Sequence, residues 1–310
     1  MNYSEFLSEI RHHMERRYRE ACVSVRTVLK NNGQCLDGLL ILQPDENISP
    51  TIYLNSYYTQ YLNGLPLDDI LEEITIVYEN HRLPSRFDLS LFRDFDQIRN
   101  QISFRLIGRS ANLELLSDIP FLPFLDLAIV FFFTLEHEII GTSSVLIRNN
   151  HLELWNTDTE ELFSLAKTNT RSLSGCEIIP MERLLFPDTT EDSFSPSAHT
   201  LFVLSSHTRT FGAACLLYED VLASFSSLLQ DDFYVLPSSI HEVLLIPLKK
   251  SPPAEALLEM VQDINRTEVS PEDVLSNHLY LYHAREHRLG IVLFTGHYQK
   301  ETPPLSQTTR

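Results

Sequence analysis

The hydrophobic pattern at the start of the chain predicts one helix followed by a hairpin. Apolar residues recur with helical spacing along one side of Ser4–Tyr18. Two strand-like runs then flank Asn31, Asn32 and Gly33, and this tripeptide predicts the hairpin turn because Asn and Gly tolerate positive φ. Helical spacing returns over Ile70–Tyr78 and over Phe95–Leu106, which predicts two further helices.

From about residue 121 the period changes from helical to strand-like. The run Leu125–Phe133 (LDLAIVFFF) is almost wholly apolar, and it predicts a central strand that is covered on both faces. A second hairpin is predicted over Ser143–Trp155, with its turn at Asn149 and Asn150. Beyond it, strands and helices alternate irregularly with several short hairpins.

This order of elements predicts an α+β fold with a mixed or largely antiparallel sheet and helices packed on it. Pro120 and Pro123 interrupt the chain where the period changes, so we expect a domain boundary there. Residues 1–115 are expected to form a smaller helix-rich unit with a short β-hairpin. Residues 120–297 are expected to form the main α+β domain, and 298–310 a flexible tail.

One predicted helix of the main domain carries a clear apolar stripe. Leu257, Val261 and Ile264 follow the spacing i, i+4, i+7, which places them on one face of a helix. Gln262 falls on the polar face. We expect the stripe to close one side of the core of this domain.

The composition stands out in its charge. The chain has 42 acidic and 24 basic side chains, a formal net charge of −18. Such a surface repels phosphate backbones, which argues against general nucleic-acid binding. The polar N-terminus lacks the apolar run of a signal peptide, and the most apolar run, Ile119–Leu135, is short for a membrane span and contains two prolines. Four widely spaced cysteines fit a reducing compartment. The expectation is a cytoplasmic protein that does not bind membranes.

The segment Ser238–Val243 (SSIHEV) carries the first candidate chemistry. His241 and Glu242 follow a predicted turn at the start of a strand, where they are candidate acid–base or recognition groups at a sheet end. The alternative is an ordinary turn between two strands. A zinc-protease motif is not predicted, because the second histidine that it needs at i+4 is replaced by Leu245.

The segment Leu204–Cys215 (LSSHTRTFGAAC) passes from a strand through a polar loop into a predicted helix. Backbone N–H groups at such a turn bind anions, which makes Ser205, Thr208 and Gly212 candidate anion-binding residues. The alternative is a capped helix start in which Gly212 supplies backbone freedom. Ser206 completes the set of candidate catalytic residues with His241 and Glu242.

Aromatic and histidine clusters add two further candidates. Tyr57, Tyr58 and Tyr61 form a patch at helical spacing, for which core packing and a partner-binding face are both open. His278 and His283 fall on opposite faces of a predicted strand, so no metal site is predicted. Neither GxGxxG nor P-loop spacing occurs, and no cofactor is predicted.

Several phrases of the chain resemble an uncharacterised bacterial family. SPTIYLNSYYTQYLNG, FLDLAIVF, LPSSIHEVLLIP and INRTEV are similar to a domain of unknown function found mainly in gut Clostridia, over roughly Phe6 to Gly296. The order of elements after Trp155 resembles, more distantly, the YtpQ-like family. Neither resemblance implies an activity.

No complete catalytic constellation occurs, so the sequence favours a protein that works by binding. An acidic surface attracts a basic protein partner, as an inhibitory or immunity-type protein requires. The alternative is a small hydrolase or transferase. Its sheet-edge pocket would combine His241 and Glu242 with the loop Ser205–Gly212.

Overall fold

The computed structural model describes residues 1–82, 89–137, 141–185, 200–294 and 299–300. These residues form three antiparallel sheets with helices between their strands, so the predicted α+β fold is confirmed. The chain divides into two compact units, Met1–Ile98 with Thr134–Val145, and Arg99–Phe133 with Leu146–Arg310. The domain limits predicted at residues 115 and 120 stay a prediction. Most of the predicted tail, residue 298 and residues 301–310, lies outside the described residues.

The first unit packs helices on a small sheet of order β1–β2–β3. Its elements are α1 (Tyr3–Arg17), β1 (Cys22–Leu29), β2 (Cys35–Leu42), β3 (Ile52–Tyr53), α2 (Leu54–Leu62), α3 (Leu67–His81) and α4 (Phe95–Ile98). The predicted hairpin is confirmed, because β1 and β2 pair on either side of the turn. Within that turn Asn32 has a φ of 57° and Gly33 a φ of 67°.

Local sequence signals explain how the helices of this unit begin and which face they bury. Asn2 caps α1 by accepting the N–H of Glu5, whose side chain accepts the N–H of Asn2 in return. The stripe predicted over Ile70–Tyr78 is the buried face of α3, so that helix is confirmed. The core of the unit consists of buried side chains from helices and strands together: Phe6, Ile10, Met14, Leu39, Ile41, Ile52, Leu54, Ile70, Leu71, Ile74 and Tyr78.

Two sheets follow along the chain. One has β6 between β4 and β5, with β7 also paired to β6; the other is seven-stranded, of order β14–β13–β12–β10–β11–β9–β8. The elements, most of them in the second unit, are β4 (Ile102–Gly108), α5 (Leu113–Leu116), β5 (Phe121–Phe124), β6 (Leu127–His137), β7 (Gly141–Leu146), α6 (Asn149–Trp155), α7 (Thr159–Ser174), β8 (Glu177–Pro180), α8 (Met181–Leu185), β9 (Phe202–Ser205), α9 (Glu219–Leu229), β10 (Phe233–Leu236), β11 (Glu242–Pro247), α10 (Ala254–Thr267), β12 (Tyr280–His283), β13 (Arg288–Ile291) and β14 (Gln299–Lys300).

The most apolar run of the chain forms β6. Every residue from Leu127 to Phe133 is buried, and the strand pairs with β4 on one side and β5 on the other. The prediction of a central, covered strand is therefore confirmed. The outer strand β4 is fixed in turn by α7, whose Thr170 Oγ1 accepts the N–H of Phe104 at 3.0 Å.

Two local predictions are wrong. The helix expected over Phe95–Leu106 stops at Ile98, and strand β4 begins at Ile102 because its alternating apolar residues pair with β6. The hairpin expected over Ser143–Trp155 is strand β7 followed by helix α6. The N–H of Arg148 donates to Nδ1 of His151, three residues on, which caps the helix at the point where we expected a turn.

The stripe on α10 is confirmed for its first two members. Leu257 and Val261 are fully buried, within a cluster that also contains Leu236, Ile246 and Leu279. Ile264 is only partly covered, and Asn265 is buried instead. The buried face therefore continues at i+8 rather than at i+7.

Replacing Val261 by aspartate is expected to destabilise the protein severely. An uncompensated carboxylate would replace a fully buried side chain, which costs about 3–5 kcal/mol. The exposed neighbour Gln262 provides the matched control, and Gln262→Asp is expected to change the unfolding free energy by less than about 0.5 kcal/mol. Urea unfolding of both variants checks this, and equal midpoints would contradict the assigned face.

Candidate functional site

Strand pairing brings the two predicted segments together. β9 and β11 are antiparallel neighbours with Ser205 opposite Glu242, so the loop after β9 and the residues before β11 lie at one end of the sheet. Ser205 Oγ donates to the carbonyl of His241 at 2.8 Å. A Cβ atom at Gly212 would lie 2.3 Å from that hydroxyl and 2.5 Å from that carbonyl oxygen, so only glycine fits there.

His241 is held through both of its ring nitrogens. The N–H of Phe211 donates to Nδ1 at 3.2 Å, which leaves the ring proton on Nε2. Nε2 lies 3.4 Å from Oδ1 of Asp273. The imidazole also stacks on the Phe211 ring, with centroids 5.6 Å apart. A histidine in this arrangement has no free nitrogen with which to accept a substrate proton.

The hydroxyl groups of the polar loop bond within the loop. Ser206 Oγ donates to the carbonyl of Thr210 at 3.0 Å, accepts the N–H of the same residue at 3.2 Å and lies 3.1 Å from Thr208 Oγ1. Glu242 is exposed. The candidate catalytic residues therefore share a sheet end, but within the described residues no hydroxyl donates to the ring of His241 as a nucleophile–base pair requires.

The backbone donors near the predicted anion site are also used by the fold. On one side of Gly212 the N–H of Phe211 donates to His241, and on the other side the N–H of Ala213 donates to the carbonyl of Ile240. The helix that follows is a six-residue 3-10 segment, Gly212–Leu217. The donors around Ser205 and Gly212 are thus committed to holding the loop.

The three tyrosines of α2 lie in two different surroundings. Tyr58 and Tyr61 pack on Phe6 of α1, with ring centroids 5.3 Å and 5.7 Å from it. Tyr57 lies near Glu73 of α3; burial and this carboxylate raise the pKa of its phenol. All three residues are half-buried, so the patch contributes to both the core and the surface.

The most extensively bonded polar group of the second unit is Asp126, which the sequence analysis did not select. It stands in the turn between β5 and β6, directly after Leu125, whose φ is 54°. Its Oδ1 accepts the hydroxyl of Tyr280 at 2.6 Å. Its Oδ2 accepts the hydroxyl of Ser276 at 2.6 Å and Nδ1–H of His278 at 2.9 Å. One carboxylate thereby joins the β5–β6 turn to strand β12.

The pKa values in this cluster follow from burial and from these bonds. Burial alone would raise the pKa of Asp126, but the hydrogen bonds from His278, Ser276 and Tyr280 hold it below its usual value. The hydrogen bond to Asp126 raises the pKa of His278 against the effect of burial. Burial, with the same carboxylate, raises the pKa of Tyr280 well above its usual value. His278 is 54% exposed, so its Nε2 edge is available to solvent.

Comparison with known proteins assigns the chain to a family. Residues 3–284 match the Family of unknown function (DUF5688). The chain belongs to that family. No curated protein and no solved structure matches this DUF5688 chain. The resemblance to a family of unknown function is thus confirmed, and membership brings no activity with it.

The part of this DUF5688 chain that the structure describes lacks two features, a membrane-spanning helix and a metal site. No helix there is both long enough and apolar enough to cross a membrane. No group of three His, Cys, Asp or Glu side chains in the same residues is placed to hold a metal ion. The pairs His241–Asp273 and His278–Asp126 are therefore the ionisable arrangements of interest in the described second unit.

Tyr280→Phe is expected to lower the unfolding free energy of the DUF5688 protein by about 1.5–3 kcal/mol. It removes a buried hydrogen bond to a charged carboxylate. Tyr282→Phe, two residues along the same strand, is the control, since its hydroxyl lies 3.3 Å from the imidazole of His287 and its loss should cost about 1 kcal/mol or less. Urea unfolding measures both, and an equal loss would contradict the role given to Asp126.

The stabilisation from His278 is expected to depend on pH. Because the pKa of His278 is raised in the folded protein, its contribution to stability is complete at pH values below the pKa of the unfolded state. This contribution is lost as the pH rises through the pKa of the folded state. Because the pKa of Asp126 is lowered in the folded protein, its contribution to stability is complete at pH values above the pKa of the unfolded state. This contribution is lost as the pH falls through the pKa of the folded state. The stability difference between wild type and His278→Gln should therefore be largest from about pH 4 to about pH 6.5.

Urea unfolding across this pH range tests the expectation. His12→Gln, which changes an exposed histidine of α1, is the control and should show little dependence on pH. A wild-type minus His278→Gln difference that stays constant as the pH rises from about 5 to about 9, across the ordinary imidazole pKa, would sink the ion-pair interpretation.

Proposed function

We propose that this DUF5688 protein is a cytoplasmic binding protein that engages a basic protein partner through α3, as an inhibitory or immunity-type protein does. One observation carries the proposal. The exposed face of α3 combines an exposed isoleucine with a set of surrounding carboxylates and has no lysine or arginine. The carboxylates of this acidic α3 face belong to Asp68, Asp69, Glu72 and Glu73.

Helical geometry places these groups around Ile76. Residues three and four apart are neighbours on a helix surface, so Glu72 and Glu73 flank Ile76 on the side facing the helix N-terminus. Ile76 is 52% exposed, whereas Ile70 and Ile74 on the opposite face are fully buried. An exposed apolar side chain next to a run of carboxylates resembles the centre of an interface with part of its polar rim.

The charges of this face are available to a partner. Within the described residues, none of the four carboxylates forms an ion pair, whereas Glu79 near the end of the same helix pairs with Arg82 at 3.0 Å. Tyr57 lies close to Glu73 and offers an aromatic ring beside the carboxylates. A carboxylate next to an aromatic ring suits an incoming lysine or arginine.

The net charge supports the same partner class. A charge of −18 accelerates the encounter with a basic protein and slows that with an acidic one. The hydrolase or transferase alternative has less support. Nδ1 of His241 accepts the N–H of Phe211, and Nε2 lies 3.4 Å from Asp273. Glu242, the next residue, is exposed and does not share a cluster with them.

Neutralising the acidic α3 face is expected to abolish capture of the partner. The test variant carries Asp68→Asn, Asp69→Asn, Glu72→Gln and Glu73→Gln. A control variant removes the same charge from exposed positions on other helices: Glu153→Gln, Glu160→Gln, Glu255→Gln and Glu259→Gln. Wild type and both variants are used as bait in lysate of the native host at about 0.05 M and about 0.15 M salt, since screening weakens exposed ion pairs.

The captured basic protein is then purified, and its affinity for each bait is measured by calorimetry. We expect at least about a tenfold loss for the α3 variant and less than about a threefold loss for the control. Equal losses would show that only the overall charge matters. Failure to recover any reproducible basic partner at either salt concentration would refute the proposal.

A further inference from the structure

Arg105 is a half-buried cation of the second unit that has no counter-charge among the residues that the structure describes. It stands in the middle of β4, opposite Val130 of β6. Its Nε atom is buried and has no hydrogen-bond partner. No carboxylate forms an ion pair with Arg105 within the described residues, whereas Arg209 of the nearby polar loop pairs with Glu177 at 2.8 Å.

An unpaired guanidinium in this position opposes folding. Burial lowers the pKa of Arg105 to about 10, and no neighbouring acid offsets that effect. Removing a cation from water without a counter-ion destabilises the folded state, and an apolar residue of similar size at such a site is often neutral or stabilising. The stability of the ligand-free fold therefore does not account for Arg105.

The surroundings hold the guanidinium in a fixed plane. It lies 4.7 Å over the ring of Phe211, and Phe132 packs edge-on against the same ring at 5.3 Å. His241 stacks on Phe211 as well, and Asp273 is bonded to the far edge of His241 rather than to Arg105. Such an aromatic contact orients the planar fork of an arginine.

One edge of the fork remains accessible. The residue Arg105 is half-buried rather than buried. Its Nε is fully enclosed and lacks a partner, whereas neither of its two terminal nitrogens combines these two properties. An oriented guanidinium with open terminal N–H groups matches the two oxygens of a carboxylate or a phosphate. Enclosure strengthens that pairing, because the surrounding dielectric is low.

We propose that Arg105 anchors a binding site for a small oxyanionic ligand, a carboxylate or a phosphate, held by the terminal N–H groups of its guanidinium. The site differs from the anion site predicted at Ser205, Thr208 and Gly212, because the donors there hold the loop itself. It is also independent of the acidic α3 face, since it uses a different residue set and the opposite charge.

Thermal unfolding with defined anions tests the site. Wild type is melted in chloride, in inorganic phosphate and in succinate at equal ionic strength. We expect Tm to rise with phosphate or with succinate in proportion to ln(1 + c/Kd), where c is the anion concentration. The anion that gives this specific response identifies the ligand class. At a concentration twenty times the dissociation constant, the ratio of folded to unfolded protein rises about twentyfold.

Two arginine variants separate the site from general salt effects. Arg105→Met is expected to lose the specific anion response and, in chloride alone, to melt at the same temperature as wild type or roughly 2–4 °C higher. Arg109→Met removes one positive charge from an exposed position of the same unit and should keep the response. If Arg105→Met does not fold, Arg105→Lys serves instead. It keeps the charge without the fork and should need at least about tenfold more anion.

Three results would overturn the proposal. The first is the absence in wild type of any rise in Tm beyond that in chloride with either anion. The second is an equal rise in wild type, Arg105→Met and Arg109→Met, which is the general effect of excluded salts. The third is a folded Arg105→Met protein that melts well below wild type in chloride, because Arg105 would then be a structural residue.

Discussion

One largely covered carboxylate ties together distant parts of the second unit. Asp126 accepts hydrogen bonds from Tyr280, Ser276 and His278, residues about 150 positions away along the chain. Without these donors a charge at the end of the most apolar strand would be strongly unfavourable. With them, the turn before β6 is fastened to the start of β12. Hydrogen bonds are directional, so this cluster fixes the position of the turn relative to β12.

The same unit contains the opposite case. Asp126 has three donors for its two oxygens, whereas Arg105 has an aromatic ring and an unpartnered Nε. Arg209 and Asn265 also have an enclosed polar atom without a partner in the described residues, but their side chains are bonded elsewhere, to Glu177 and Ser276. Tyr218 has an enclosed hydroxyl without a described partner, but this group is uncharged. Asp126 therefore has its hydrogen-bond donors, whereas Arg105 lacks a charged partner among the described residues. This difference indicates that Arg105 is kept to pair with a ligand that the protein alone does not supply.

Sequence patterns predicted the elements whose stability is local. The hairpin follows from the positive φ angles that Asn32 and Gly33 tolerate. Helix α3 follows from the apolar stripe along one of its faces, and strand β6 follows from its apolar run. β4 was missed because Ile98, Ile102 and Leu106 fit a helical period, while the alternation of Ile102, Phe104 and Leu106 becomes decisive only beside β6. The enzyme alternative combined His241 with the loop Ser205–Gly212, and the structure brings the two together, but nothing in the sequence indicated the bond from Phe211 to His241.

The Asp126 cluster could not be assembled from the sequence, because its members are distant and each has an ordinary local role. The only signal is an acid inside the longest apolar run, which must find donors if that run is buried. Arg105 gives a similar signal, a basic residue in the middle of an apolar strand. A charged residue at an apolar position therefore marks where the fold needs a partner. Among the described residues the chain supplies that partner for Asp126 and not for Arg105.

Electrostatics separates the two proposed interactions. A net charge of −18 attracts a basic protein over a distance of about a Debye length, so binding at the exposed carboxylates of α3 should weaken as salt screens them. The same field repels a small anion until it reaches Arg105. There the enclosed guanidinium acts at short range, and salt screens it much less than it screens a surface pair. An acidic protein can therefore hold an anion only where a cation is locally desolvated and unpaired, as Arg105 is.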